Sequence, residues 1–146
     1  FLATQYVRHA SRPLYTPEPD VLHEIIGHAA LLADPAFAEL NRLFGKATRR
    51  AGGAEIEALI RVYWYTLEFG VVGRGDDYEV IGAGLLSSFG ELGRFRESVP
   101  KRAFDLDEIA RTPFDPTDYQ RVLFVASDVE AMKASLSAWL EAMARR

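Results

Sequence analysis

The chain has 146 residues, 49% of them hydrophobic and 26% charged, which is enough for one domain with a sizeable core. Its formal net charge of -4 gives no indication of a nucleic-acid or anionic-membrane partner, and the lack of cysteine excludes disulfides and thiolate chemistry. No apolar run approaches the roughly 18 residues of a membrane span. No signal peptide is recognisable, so we expect a cytoplasmic protein that binds no membrane.

Three amphipathic helices are predicted in the first half of the chain, after a loop that covers residues 1–20. Asp20 is a good N-cap for the first helix, because its side chain can accept a hydrogen bond from a free backbone N–H. A capping aspartate followed by proline predicts a second helix over 35–48. Apolar residues at helical spacing predict a third over 54–69.

The second half of the chain is predicted to contain two short strands, over 78–81 and over 121–126. A turn over 73–77 precedes the first strand, and a glycine-rich loop over 82–92 follows it and leads into a helix. Residues 96–118 are interrupted by prolines and are predicted to be irregular.

The last helix is predicted to begin at a capping box formed by Ser127 and Glu130. No internal repeat or linker is evident. The predicted fold is therefore mainly α, an α+β arrangement with few short strands, in a single domain over 1–146.

Two histidines and one distant glutamate suggest a metal site. His23 and His28 are five residues apart, and Glu68 lies about forty residues later. On a straight α-helix the two histidines point roughly 140° apart, so both reach one ion only near a helix end or where the backbone bends, as Gly27 permits. Glu68 lies in an apolar stretch where a carboxylate needs a partner, and a cation would be one. Two imidazoles and one carboxylate form the facial triad of non-haem Fe(II) oxygenases.

Two other metal enzymes are weighed against this interpretation. A zinc protease needs two histidines four residues apart with the glutamate between them as general base, and the spacing here is one residue longer. A zinc hydrolase that uses Glu24 nevertheless stays open as an alternative. A 2-oxoglutarate oxygenase usually has a histidine and a carboxylate close together and a distant histidine, which is the reverse order.

Five segments together resemble the pterin-dependent aromatic amino acid hydroxylases, the family of phenylalanine, tyrosine and tryptophan hydroxylases. The segments are Thr4–His9, Tyr15–Asp20, His23–His28, Tyr63–Gly70 and Gly82–Ser88. They occur in the family's order and at nearly its spacing. The resemblance implies the family's catalytic-domain fold, with residues 1–146 as its iron-binding part.

The resemblance also implies a role for each matching residue. The implied iron ligands are His23, His28 and Glu68. The implied substrate-binding residues are Arg8, Thr16, Pro19, Trp64, Gly84 and Ser87, with the Arg8 guanidinium suited to the substrate carboxylate. A purely structural ion-pair role for Arg8 is the competing interpretation. Glu24 and Tyr63 are implied to lie near the pterin and the oxygen site, as candidate catalytic and cofactor-binding residues.

The reaction implied uses Fe(II), O2 and a tetrahydropterin to hydroxylate the ring of an aromatic L-amino acid, with phenylalanine to tyrosine as our first expectation. The family's stacking phenylalanine and pterin loop would lie upstream of Phe1, so we expect that the N-terminal portion of the catalytic domain is missing. The family's tetramerising tail would follow Arg146, so we expect a monomer or weak homo-oligomer. The alternative is a shortened relative that binds iron or an aromatic amino acid without hydroxylating it, or that acts without a pterin.

Overall fold

The computed structural model describes residues 4–14 and 18–145. Its first helical unit consists of a π-helix, π1 (His23–Ala29), continued by a short α-helix, α1 (Ala30–Leu32). Asp20 caps this unit as expected, because its Oδ1 accepts a hydrogen bond from the His23 N–H at 3.1 Å. The π register is seen where the Ala30 N–H donates to the carbonyl of Ile25, five residues back.

The π-helix changes the geometry expected for the two histidines. In a π-helix the residue five positions along lies close to one full turn away, so His23 and His28 project from the same side. Their ring centroids are 4.7 Å apart. The local change in the backbone that this pair needs is therefore the wider winding of π1, and not a bend at Gly27.

The second and third predicted helices are present, with one change at the end of the third. Helix α2 is Pro35–Thr48 and starts at Asp34, whose side chain accepts the Ala36 N–H at 2.7 Å. Helix α3 is Ala54–Tyr63. The last turn of the predicted helix over 54–69 is instead a second π-helix, π2 (Trp64–Glu68), in which the Phe69 N–H donates to the Trp64 carbonyl at 2.8 Å.

A four-stranded sheet forms one side of the molecule. Its strands are β1 (Val71–Arg74), β2 (Asp77–Val80), β3 (Lys101–Ala103) and β4 (Leu123–Ala126), in the spatial order β2-β1-β4-β3. Strands β1 and β2 form an antiparallel hairpin, whereas β4 pairs in parallel with β1 and with β3. The strands expected near 78–81 and 121–126 are present as β2 and β4.

Three features of the second half were not expected from the sequence. The glycine-rich segment over 82–92, expected to be a loop that leads into a helix, forms a helix of its own, α4 (Ala83–Ser87), before the next helix, α5 (Phe89–Arg94). Strand β1 occupies part of the region assigned to a turn. The segment 96–118, expected to be irregular, contains β3 and a short helix, α6 (Leu106–Ile109).

The last helix, α7 (Val129–Arg145), begins one residue later than expected. Its cap is Asp128, whose Oδ1 accepts the Ala131 N–H at 2.8 Å, so the expected Ser127 capping box is wrong. Ser127 instead donates its hydroxyl to Asp128 Oδ2 at 2.9 Å. Both residue types cap helices well, and the carboxylate is the stronger acceptor.

The main hydrophobic core lies between α2, α3, π2, α7 and β4. Its largest fully buried side chains are Leu40, Val62, Leu67, Ile109, Phe124, Met132, Leu136 and Leu140. A smaller cluster of Phe69, Val71, Leu85, Phe95, Val99 and Leu123 fills the space between the sheet and α4. Within the described residues, no helix is long and apolar enough to cross a membrane.

Helix α4 crosses π1 at very close range, and Gly27 makes this possible. A Cβ atom at Gly27 would lie 2.8 Å from both the Cβ and the carbonyl oxygen of Ala83. Ordinary carbon–carbon contacts are about 3.5–4.0 Å, so no side chain fits between the two helices. The close packing brings α4, with Ser87, directly beside the histidine-bearing face of π1.

Candidate metal centre and adjoining cavities

The side chains of His23, His28 and Glu68 meet where π1 and π2 approach each other. The His28 Nε2 atom lies 3.1 Å from Glu68 Oε1, and the His23 Nε2 atom lies 3.6 Å from Glu68 Oε2. One donor atom from each residue lies within 4.8 Å of the others, and all three side chains are at most 14% exposed. In the described parts of the chain this is the one group of three such side chains with metal-site spacing.

The donor set and its spacing fit a six-coordinate Fe(II) ion. Bonds of about 2.1 Å that meet at roughly 90° place neighbouring donors about 3.0 Å apart, close to the shorter distance observed. Burial lowers the pKa of His23, against the opposing charge of Glu68, and so favours the neutral imidazole that a metal requires. These three residues would hold such an ion with three protein donors, and its other coordination positions would be available to small molecules.

Ser87 holds the His23 ring from the side opposite the metal position. The His23 Nδ1 atom lies 2.9 Å from Ser87 Oγ, and the Ser87 hydroxyl lies 3.3 Å from the Gly84 carbonyl that it donates to. Because the Ser87 hydroxyl donates to Gly84, its oxygen is placed to accept from an Nδ1–H, and the tautomer with that proton leaves the Nε2 lone pair free to bind a metal. Ser87, expected at the substrate, therefore contacts a metal-site histidine directly.

A cavity of about 200 Å³ opens on one side of the three donors. Five of the residues expected to bind substrate line it, namely Arg8, Pro19, Trp64, Gly84 and Ser87. His23, Glu68 and Phe69 complete the part of the wall nearest the metal position. Thr16, the sixth expected residue, lies outside the described residues. We call this space the substrate cavity, after the role expected of these residues.

Arg8 is both an ion-pair residue and part of the cavity wall. Its Nε donates to Asp20 Oδ2 and its Nη2 to Asp20 Oδ1, each at 2.8 Å, and the Arg8 and Asp20 side chains are 7% and 0% exposed. These bonds hold the pKa of Asp20 well below its ordinary value. Since Asp20 also caps π1, one carboxylate fixes Arg8 relative to His23.

The aromatic wall of the cavity is built around Trp64. Its indole stacks on Phe114 with ring centroids 4.2 Å apart and 14° between the planes, and its other neighbour is Phe69 at 4.7 Å. The indole Nε1 donates to Gln120 Oε1 at 2.7 Å. Gly84 leaves room for Phe69, because a Cβ there would lie 2.9 Å from that ring.

A second cavity, of about 470 Å³, reaches the same three donors from another direction. Glu24 and Tyr63, expected near the cofactor, both line it. Glu24 Oε2 is buried without a hydrogen-bond partner, so this oxygen can accept a hydrogen bond from a bound ligand. The Tyr63 hydroxyl donates to Asn41 Oδ1 at 3.3 Å, and burial, with the charges of Glu68 and Glu24, raises its pKa well above the ordinary value.

Four residues of the site were not identified from the sequence. Asp20 was expected only as a cap. Its ion pair with Arg8 joins residues twelve positions apart in the chain, and no sequence pattern indicates such a contact. Phe69 follows the predicted ligand Glu68 directly and has no signal of its own. Gln120 and Glu91 were given no role from the sequence, and both are buried in the structure.

Comparison with known proteins identifies a family over the whole chain. A family model described as biopterin-dependent aromatic amino acid hydroxylase matches residues 1–146. The chain is 42% identical over 146 residues to tyrosine 3-monooxygenase of Drosophila melanogaster, with 99% of this chain and 25% of the relative covered. It is also 42% identical over 144 residues to chloroplastic phenylalanine 4-monooxygenase of Physcomitrium patens, with coverages of 95% and 36%.

Solved structures agree on the fold. Phenylalanine hydroxylase of Chromobacterium violaceum with bound iron(III) and 7,8-dihydrobiopterin superposes with a TM-score of 0.80 at 31% identity, covering 94% of this chain and 51% of that one. The enzyme of Legionella pneumophila gives 0.82 at 26% identity, with coverages of 98% and 59%. The expected catalytic-domain fold is confirmed, and so are iron and a pterin as the family's cofactors. The chain spans roughly a quarter to a third of these curated relatives and about half of the solved structures.

Proposed function

The chain belongs to the biopterin-dependent aromatic amino acid hydroxylase family, and from this premise we propose that the protein is an Fe(II)- and tetrahydropterin-dependent monooxygenase of aromatic L-amino acids. Residues 1–146 would form the iron-binding part of one catalytic domain. The observation that carries the proposal is that the three side chains meet where two cavities adjoin: His23 and Glu68 line both cavities, and His28 lines the second. Such an arrangement lets two different molecules approach one metal ion from different sides.

The three donors would hold iron on one face, and the bound iron and pterin together supply the activation of O2 that ring hydroxylation needs. Arg8, already fixed by Asp20, would bind the substrate carboxylate, with Thr16 assisting. A guanidinium is suited to this because it is always charged and donates from a planar fork.

The remaining wall of the substrate cavity would orient the ring. Pro19, Trp64 and Gly84 line it together with Phe69, so the ring would meet apolar and aromatic surface. Ser87 would act through His23, by keeping its Nε2 atom directed at the metal. On the other cavity, Glu24 and Tyr63 would contact the pterin or the oxygen site, and the unpartnered Glu24 Oε2 is available to accept a pterin N–H.

Within this proposal the preferred substrate is phenylalanine and the product tyrosine. The apolar wall near the metal position suits a ring without a hydroxyl group, and solved phenylalanine hydroxylases are among the structures similar to this chain. Equal identity to a tyrosine and to a phenylalanine hydroxylase supports the general reaction and not the choice between them. The cytoplasmic location and the monomeric or weakly associated state expected from the sequence stay part of the proposal.

The test supplies the full-length protein with Fe(II), a tetrahydropterin, O2 and, separately, phenylalanine, tyrosine or tryptophan. Mass spectrometry then detects an amino acid that has gained one oxygen atom. We expect tyrosine from phenylalanine as the main product, and no product from Glu68→Ala. A protein that binds iron and an aromatic amino acid but forms no hydroxylated product would support the non-catalytic alternative. Stoichiometric zinc with peptidase activity would support the hydrolase.

A further inference from the structure

Glu91 is a buried carboxyl group to which the proposed function gives no role. It lies on α5, its side chain lines the substrate cavity, and only 1% of it is exposed. Its Oε1 accepts the Gln120 backbone N–H at 2.7 Å, and its Oε2 is enclosed without a hydrogen-bond partner. Burying a carboxyl group is unfavourable unless its remaining hydrogen bonds compensate, and here burial raises its pKa.

Gln120 connects this carboxyl group to the aromatic wall of the cavity. Gln120 is 6% exposed, and its side-chain Oε1 accepts the Trp64 indole N–H at 2.7 Å. Its side-chain Nε2 donates a hydrogen bond to the Asp118 carbonyl at 3.4 Å. Glu91 therefore fixes the backbone of the same residue whose side chain fixes the indole.

Two ring contacts and one hydrogen bond position the Trp64 indole. Stacking on Phe114 and contact with Phe69 set the tilt of the ring, but they are weakly directional against small in-plane displacements through the side-chain torsions. The bond from Nε1 to Gln120 is directional and removes that freedom. Trp64 also begins π2, the helix that carries Glu68, so its position is tied to the metal donors.

We propose, on the basis of the function proposed above, that Glu91 is a positioning residue: through Gln120 it fixes the Trp64 indole as a rigid wall for the substrate ring. The effect on substrate passes through a hydrogen bond and not through charge. A direct ion pair between Glu91 and the substrate ammonium group is the competing role. The enclosure of Oε2 favours the indirect one.

Two substitutions separate the roles. Glu91→Gln keeps an oxygen that accepts the Gln120 N–H and removes the charge, whereas Glu91→Leu removes the acceptor at similar volume. Glu97→Gln, at an exposed position on the segment after α5, is the matched control. Gln120→Met keeps the backbone bond to Glu91 but removes the acceptor of the indole.

The first readout is the Trp64 indole N–H in the ¹⁵N spectrum of the zinc-loaded protein, since Zn²⁺ has no unpaired electrons. The signal is assigned from its loss in Trp64→Phe. We expect slow hydrogen exchange at this N–H in the wild type, Glu91→Gln and Glu97→Gln, and fast exchange in Glu91→Leu and Gln120→Met.

The second readout is phenylalanine binding and turnover by the iron-loaded, full-length protein. Here we expect KM and Kd to rise about tenfold in Glu91→Leu and Gln120→Met, roughly the effect of one lost buried hydrogen bond, with a smaller change in kcat.

The proposal is overturned if Glu91→Leu leaves the indole exchange unchanged, or if Glu91→Gln weakens phenylalanine binding as much as Glu91→Leu does. The second result would instead assign Glu91 to the substrate ammonium group. If Glu91→Leu does not fold, Gln120→Met decides, and an unchanged Kd in that variant overturns the proposal. A wild type that binds no aromatic amino acid would contradict the function proposed above, while the indole exchange would still decide whether Glu91 positions Trp64.

Discussion

The contact between π1 and α4 makes a quantitative prediction at Gly27. In Gly27→Ala the new Cβ would lie 2.8 Å from the Ala83 Cβ and carbonyl oxygen, and 3.0 Å from the Ala83 Cα. None of these atoms belongs to a flexible side-chain end, so the two helices must separate by up to about 1 Å to reach ordinary contact distances. The perturbation is therefore a small, directed shift of α4 away from the histidines.

Two effects follow, and each has an expected size. Overpacking of this kind costs about 1–3 kcal/mol of unfolding free energy, offset by up to about 1 kcal/mol because alanine is the better helix former. The same shift stretches the bond between His23 Nδ1 and Ser87 Oγ, now 2.9 Å, past the range of a hydrogen bond. Loss of such a support for a metal-binding histidine typically lowers metal affinity by about 10–100-fold.

The assay pairs urea denaturation of the metal-free protein with competition for Fe(II) against a chelator of known affinity. Gly93→Ala is the matched control, because Gly93 is also helical and a Cβ added there would meet nothing within 4 Å apart from its chain neighbours and its own helix backbone. We expect Gly93→Ala to be neutral or slightly stabilised with unchanged Fe(II) affinity. If Gly27→Ala behaves in the same way as Gly93→Ala in both measurements, the close packing does not set the geometry of the metal centre.

Two further predictions concern the residues that support the site. Ser87→Ala should lower Fe(II) affinity by about 10–100-fold with little change in fold, measured by the same chelator competition, and equal affinity would contradict the support that Ser87 gives to His23. Asp20→Asn should destabilise the protein by about 3 kcal/mol at pH 7, because it leaves the buried Arg8 charge without its partner. The folded-state pKa of Asp20 lies below its unfolded value, so the stability that the pair contributes is present above about pH 4 and is lost as pH falls further. Urea denaturation from pH 7 to pH 3 should show the difference between wild type and Asp20→Asn shrinking only below about pH 4, and a difference that grows there would contradict the assignment.

That His23, His28 and Glu68 lie together could be predicted from the sequence mainly because the surrounding segments resemble a known family in order and spacing. The spacing of the two histidines alone is a weak signal, and the apolar surroundings of Glu68 add to it because a buried carboxylate needs a partner. Helices α2 and α3 were equally accessible, since each repeats its apolar residues at the helical period and α2 has a capping residue.

The winding of the helices that carry the donors was not predictable. The sequence of π1 contains nothing that distinguishes bonds to the fifth residue from bonds to the fourth. Both registers satisfy the same backbone groups, and tertiary contacts such as the one between Gly27 and Ala83 select between them. The close approach of His23 and His28 follows from that choice.

The buried polar residues around the site, such as Glu91 and Gln120, could not be predicted for a related reason. A glutamate on a short helix, such as Glu91, is normally exposed, and its burial depends on the segment around Gln120 packing across it. Strands β1 and β3 were missed for a different reason. Strand β1 runs into the turn at Gly73 and Gly75, and β3 is a three-residue edge strand that is mostly polar and exposed, so neither has the composition of a strand.

The central claim is that one iron ion is held by His23, His28 and Glu68, and the iron content of the purified protein tests it most directly. Iron and zinc are measured by elemental analysis after reconstitution with Fe(II), in the wild type, His28→Ala and Glu68→Ala. We predict about one iron per wild-type chain and almost none in either variant, because each removes one of only three protein donors. Full iron occupancy in both variants, with folding unchanged by circular dichroism, would contradict the account.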